Sequence, residues 1–266
     1  MLLGRQTPAA HEYAPQLLYP IARDTARTSL GLSAPPPFYG VDLWHAYEMS
    51  WLDEAGKPVM RVGRFQVPAS SPNIVESKSF KLYLNSLNSM RLPSEDAAWS
   101  LIVDDISAAA GARIDLHLFA IDDVSLCGAT LNGASLDSLM VTPWPGEPQA
   151  DQLGVDSDRV VEERLYSHLL RSLCPVTGQP DWASVWLHYR GSAIDRSSLL
   201  QYIIAYREHQ EFHEQCVERM FRDIALRCAP EFLHIQAFYT RRGGLDINPF
   251  RSTDPTAQPL PRLNRQ

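Results

Sequence analysis

The chain lacks most of what would commit it to a secreted, membrane or nucleic-acid-binding existence. Its 266 residues hold four cysteines, Cys127, Cys174, Cys216 and Cys228, at irregular separations. They are too few and too scattered for a disulfide framework, which points to a reduced, cytosolic setting. No apolar run approaches the ~18 residues of a membrane-spanning helix. The longest resemble Ile203-Ile204-Ala205-Tyr206 behind Leu199-Leu200. Met1-Leu2-Leu3-Gly4-Arg5 leads into polar, Pro-containing sequence rather than an apolar core, so no secretory signal is expected. Positive charge is scarce: 24 Lys and Arg face 31 Asp and Glu, for a net charge of −7. That balance excludes the broad basic surface of a direct nucleic-acid binder, and an anionic ligand must be met by a local cationic cluster. Neither a G-x-G-x-x-G run nor a Walker-type loop occurs, so a dinucleotide, if bound, is held without a Rossmann domain.

What is present is ordinary globular material, 45% hydrophobic and 21% charged, which excludes a disordered, collagen-like or coiled-coil chain. The length suits one large domain or two smaller ones. Residues 1–37, ending in Ala34-Pro35-Pro36-Pro37, read as an extended N-terminal arm, with regular structure beginning after it. Residues 41–53 and 59–67 alternate apolar and polar side chains around the turn Glu54-Ala55-Gly56-Lys57-Pro58, predicting a β-hairpin. Helical periodicity follows over 76–90 and, after Ser94-Glu95-Asp96, up to Ala110 and Gly111; a strand follows at 113–121. A Gly- and Pro-rich bridge separates this half from a second with the same order: strands at 160–170 and 182–190, helices at 197–206 and 212–227, and a strand at 231–239. The repeated plan predicts an α+β protein of two modules, 38–130 and 150–266, each an antiparallel sheet packed with a pair of helices.

Four segments could carry chemistry. Cys174-Pro175-Val176-Thr177-Gly178-Gln179-Pro180-Asp181-Trp182 is a Pro-bracketed loop with a thiol at one end and a carboxylate seven residues on. An ionised thiol adds to an electrophilic carbon, and an acid can protonate the atom on which charge develops; a buried structural Cys with a turn-forming Asp is the plain alternative. Glu211-Phe212-His213-Glu214 opens a helix. His213 suits proton transfer near neutral pH and Glu214 suits paired hydrogen bonds, although acidic residues also favour a helix N-terminus for its dipole alone. Glu76-Ser77-Lys78-Ser79-Phe80-Lys81 opens another helix, where amide donors with Lys78 and Lys81 could hold an anion. Arg241-Arg242-Gly243-Gly244 pairs two guanidiniums with flexible backbone, as phosphate binding or a plain basic turn would. Cys174, His213 and Cys216 also form a weak zinc set, since no thiol lies in a short Cys-x-x-Cys pair.

Taken jointly, ESKSFKLY at 76–83, CPVTGQPDW at 174–182, EFHE at 211–214 and TRRGGLDINP at 240–249 resemble the NADPH-dependent 7-cyano-7-deazaguanine reductases in their long, bimodular form. The resemblance implies tandem tunnelling-fold modules, shared with the zinc enzyme GTP cyclohydrolase I but used without a metal. It implies a four-electron reduction of a nitrile to a primary amine, consuming two NADPH, on the path to the tRNA nucleoside queuosine. It further implies that Cys174 attacks the nitrile to give a thioimide and that Asp181 protonates the nitrogen, with His213 assigned a second acid–base role. Val75, Glu76, Ser77, His213 and Glu214 match substrate-binding positions. Ser77, Lys78, Arg242 and Gly243 match NADPH-binding positions. A cytoplasmic homodimer, with the substrate in a cleft between modules, completes the expectation. A zinc-dependent cyclohydrolase-like hydrolase and a non-catalytic purine- or pterin-binding module are the competing readings.

Overall fold

A computed structural model describes residues 12–266; residues 1–11 of the arm, and with them the reading of the N-terminus as free of a secretory signal, lie outside the described residues. The order is β1 (Pro20–Ala22), α1 (Arg23–Ser29), β2 (Tyr39–Leu52), β3 (Pro58–Pro68), β4 (Asn73–Val75), α2 (Ser77–Ser86), α3 (Glu95–Ala110), β5 (Asp115–Phe119), β6 (Ala134–Ser135), β7 (Val155–Leu173), β8 (Pro180–Ile194), α4 (Arg196–Ala205), α5 (His213–Cys228), β9 (Phe232–Tyr239) and β10 (Leu245–Ser252). The protein is α+β, and the strand-strand-helix-helix-strand plan occurs twice. The chain divides into two compact units. The first holds the described residues up to Arg27 with Val41–Cys127 and Arg241–Ile247; the second holds Thr28–Gly40, Gly128–Thr240 and Asn248–Gln266. Among the described residues no helix is long and apolar enough to cross a membrane.

In the first unit β3 lies antiparallel between β2 and β5. The β2–β3 register sets Trp44 opposite Phe65, and Phe80 of α2 packs edge-on against both rings at 5.1 Å. On α3 the apolar residues Ile102, Val103, Ile106 and Ala110 recur at helical spacing and are all buried. Burying each Ile or Val contributes ~1.5–3 kcal/mol. Ser94 caps α3 by accepting from Ala97 N, and Gly111, with φ at 72°, closes it in the left-handed conformation that a side chain would resist.

The second unit is organised by the long hairpin of β7 and β8, paired from Val155 opposite Ile194 to Leu173 opposite Pro180. β9 continues the sheet beside β8, and the short β6 runs parallel to β7. α5 buries Val217, Met220, Phe221 and Ile224 on one stripe, together with Glu218. That carboxylate accepts from Nη2 (2.8 Å) and Nε (3.1 Å) of the fully buried Arg251, so neither charge is left unpaired.

One expectation is corrected, and one strand is found that the periodicity did not reveal. The arm is not simply extended before residue 38: β1 and α1 form there, held by tertiary pairing rather than by local propensity, which elements of three and seven residues cannot supply alone. The segment after Gly244 is a full strand, β10, although Pro249 and the polar Asp246 and Asn248 argue against one. Its polar groups are satisfied inside: Asp246 takes Tyr47 Oη at 2.5 Å and faces His45 Nδ1 at 2.8 Å.

Candidate active site

In the second unit the connection from β7 to β8 begins at Cys174 and is closed on itself: Cys174 N donates to Gln179 O and Gly178 N donates to Cys174 O, both at 2.9 Å. Gly178 turns the chain with φ at 67°, a conformation that favours glycine. Cys174 is 9% exposed and Asp181, one residue into β8, is 8% exposed. Asp181 Oδ2 lies 3.3 Å from Nε2 of His213, the first residue of α5. The His213 ring is stacked on Tyr239, centroids 3.7 Å apart and planes 4° from parallel. Its Nδ1 is buried with no hydrogen-bond partner, an orphaned polar atom of the kind that awaits a ligand or water. Glu214, the next residue, is buried.

Tyr239 and Ser172, which faces Asp181 across the ladder, are fully buried members of this group that sequence reasoning missed. Nothing local marks either; only strand register brings them in. The backbone leading into α5 is tied to the strand that carries Cys174, since Leu173 N donates to His209 O at 2.8 Å. His209 in turn bonds Glu147 through Nδ1, and its Nε2 lies 3.0 Å from Glu211 Oε2. Arg219 Nε donates to that same oxygen at 3.0 Å. Burial opposes the charged imidazole, but Glu211 and Glu147 outweigh it and the His209 pKa is raised. For Glu211, burial is outweighed by the hydrogen bonds from His209 and Arg219, and its pKa is lowered.

The zinc set does not assemble. Cys216 is fully buried, and burial first, then the Glu211 charge, pushes its thiol well above the ordinary range, so it stays protonated. Among the described residues no group of three or more His, Cys, Asp or Glu is placed to hold a metal ion.

In the first unit the expected anion cradle at the start of α2 is corrected. The Glu76 carboxylate is itself the cap of that helix: Oε1 accepts from Lys78 N at 3.0 Å and Oε2 from Ser79 N at 2.7 Å. Those amides are therefore taken, and anion binding there falls to the lysine side chains. Glu76 is 5% exposed, yet each carboxylate oxygen has a second lone pair for a ligand donor. Val75 ends β4, buried, and Ser77 opens α2. The basic turn lies in the same unit. Gly243 has φ at 65°, and a Cβ there would sit 2.7 Å from Lys81 Nζ, so the glycine leaves room for the ammonium against the backbone. Arg241 stands 4.3 Å over the ring of Tyr47, whose backbone N donates to Gly244 O at 2.9 Å. A set of Lys78, Lys81, Arg241 and Arg242 fits the phosphates of a nicotinamide dinucleotide phosphate in charge and donor type.

Known proteins are similar to this chain over both units. Residues 9–118 match the family model described as nitrile reductase, 7-cyano-7-deazaguanine-reductase N-term, and residues 180–258 match the model described as QueF-like protein. Proteins named NADPH-dependent 7-cyano-7-deazaguanine reductase are similar over nearly the whole chain. That of Dechloromonas aromatica is 53% identical over 259 residues, 97% of this chain and 92% of the relative. Those of Stenotrophomonas maltophilia (strain K279a) and Bordetella avium are 52% and 51% identical over 260 residues, 97% of this chain and 94% of each relative. A Cys174 hairpin, a contact between the buried Asp181 and the half-buried His213, a capped Glu76 and a cationic turn thus occur in a chain that belongs to the family of NADPH-dependent 7-cyano-7-deazaguanine reductases.

Proposed function

We propose that this protein reduces the nitrile of 7-cyano-7-deazaguanine to the aminomethyl group of 7-aminomethyl-7-deazaguanine, in the cytoplasm, as a homodimer, within the supply of queuosine for tRNA modification. The observation that carries the mechanism is the Asp181–His213 contact of 3.3 Å beside the Cys174 hairpin. Cys174 gives its proton to the Asp181–His213 pair, and its sulfur forms a bond to the nitrile carbon while that proton moves to the nitrile nitrogen, giving a thioimide. A nitrile carbon is a weak electrophile, so protonation concerted with attack is where a positioned acid lowers the barrier. Bound NADPH supplies hydride, twice in each turnover.

The chain's own residues do the rest. His213, with Nδ1 unpartnered and its plane fixed by Tyr239, accepts and returns protons as nitrogen goes from imine to amine and the thiol is released. Glu76 in the first unit and Glu214 in the second are each a buried carboxylate suited to accept from the N–H or exocyclic amine of a purine-like edge; Val75 and Ser77 flank Glu76. Ser77, Lys78, Arg242 and Gly243 hold the cofactor phosphates. The test follows NADPH absorbance after adding the nitrile to metal-stripped protein, with intact-mass detection of the adduct. Two NADPH oxidised per nitrile and an adduct at Cys174 are expected. Turnover without adduct overturns the thioimide, and no oxidation by folded protein overturns the reductase reading.

A further inference from the structure

The N-terminal arm has no motif of its own, but its backbone is bound to the segment that carries Glu76. β1 pairs antiparallel with β4, Pro20 opposite Val75, Ile21 opposite Ile74 and Ala22 opposite Asn73. The ladder continues at both ends: Glu76 N donates to Tyr19 O and Arg23 N donates to Pro72 O, each at 2.9 Å. One residue past the ladder, Tyr19 N donates to Ser79 Oγ at 3.0 Å, and that hydroxyl donates to Glu76 O at 2.7 Å. Ser79 N, on the same residue, donates to the Glu76 carboxylate. The arm therefore holds Glu76 through its own N–H and through Ser79, the residue that also orients the side chain. The far end is fixed as well: the buried Arg23 guanidinium reaches Asp42 at 2.5 Å and Ser71 at 3.1 Å, and Arg27 donates to Ala69 O at 2.7 Å.

We propose that residues 19–23 are a positioning element for substrate recognition, a strand whose pairing sets the place of the Glu76 carboxylate. The inference rests on the reading of Glu76 as a substrate-binding residue. β4 is only three residues long, and a strand so short has no fixed position without a partner. A carboxylate that must accept two ligand N–H groups needs placement within about half an ångström, which a loose strand ending one residue earlier does not provide. A merely stabilising arm would change the unfolding midpoint and leave ligand affinity alone.

The experiment uses the full chain. Ile21→Pro removes the backbone donor opposite Ile74, and Ile21→Val keeps it. Affinity for 7-cyano-7-deazaguanine is measured by calorimetry without NADPH, alongside thermal unfolding. Ile21→Pro is expected to bind the nitrile at least tenfold more weakly, and Ile21→Val within twofold of the parent. If Ile21→Pro does not fold, Ser79→Ala, which removes the hydroxyl joining Tyr19 to Glu76, decides: a loss of threefold or more is expected. Unchanged affinity in a folded variant overturns the positioning role. A parent that oxidises no NADPH overturns the proposed function instead, so the two failures are told apart.

Discussion

The two units share a frame and differ in what they hang on it. At the start of the first helix of each pair, Glu76 and Asp195 cap α2 and α4, and Ser79 and Ser198, three residues on, donate to the cap carbonyl. In both, a remote residue closes the node: Tyr19 takes Glu76 N and gives its own N–H to Ser79, while Gly154 takes Asp195 N and gives its N–H to Ser198. At the other end of the hairpin the likeness continues. Leu52 pairs with Pro58 and bridges Arg91; Leu173 pairs with Pro180 and bridges Gln210. Yet the first hairpin closes through Asp53-Glu54-Ala55-Gly56-Lys57, and the second through Cys174-Pro175-Val176-Thr177-Gly178-Gln179. Under the proposed function one plan serves two tasks: the first unit grips through its helix start, the second reacts through its hairpin loop. The frame alone implies neither task.

The largest expected effect separates the two loops. Cys174→Ala should abolish NADPH oxidation while nitrile binding stays measurable by calorimetry; Glu54→Ala, in the equivalent loop of the first unit, should leave both unchanged. Retained turnover in Cys174→Ala would remove the thiol from the mechanism. Next, Asp181→Asn should lower the rate of adduct formation by ~10²- to 10⁴-fold, the range for losing a positioned acid, with an unaltered unfolding midpoint. A wild-type rate of absorbance change in stopped flow would exclude Asp181 as the proton donor. A smaller effect compares the nodes: Ser79→Ala and Ser198→Ala should each cost ~1 kcal/mol of stability in denaturant titrations, but only Ser79→Ala should weaken nitrile binding.

Much of this frame is legible in the sequence because periodicity reports it: α3 and α5 each bury one stripe and β3 alternates, while β2 and β8 are apolar enough to be buried on both faces over 42–46 and 183–187. Cys174, Asp181 and His213 stand out as candidates because a thiol in a loop, an acid where that loop ends and an imidazole at a helix start are chemically conspicuous. The rest is not, for a physical reason. β1 and β4 exist through pairing with each other across the intervening hairpin, and no short window of sequence contains both partners. Tyr239 looks like any strand aromatic until register sets it under His213. Glu76 reads as a free carboxylate until its oxygens are found on Lys78 N and Ser79 N.

The smallest effect concerns the segment leading into α5, where the first unit has Met90-Arg91 and the second has His209-Gln210. Only the second can titrate near neutral pH. His209 has its pKa raised through Glu211 and Glu147 after burial has opposed it. A raised histidine contributes stability that is fully present below its unfolded pKa of ~6.5 and is lost as pH climbs through the folded value. Glu211, lowered, works the other way, contributing above ~4.3 and failing as pH falls through its folded value. The cluster is therefore strongest in mildly acid solution, between those limits. Glu147→Gln should lower stability by less than ~1 kcal/mol, because the Glu147 side chain is 65% exposed and water screens the pair. The difference from the parent should be greatest in mildly acid solution, below the unfolded histidine value of ~6.5, and should shrink as pH climbs through the folded His209 value, as unfolding midpoints across pH would record. A constant difference would mean that His209 keeps one charge state throughout, and that the strap between Leu173 and α5 is held by backbone pairing alone.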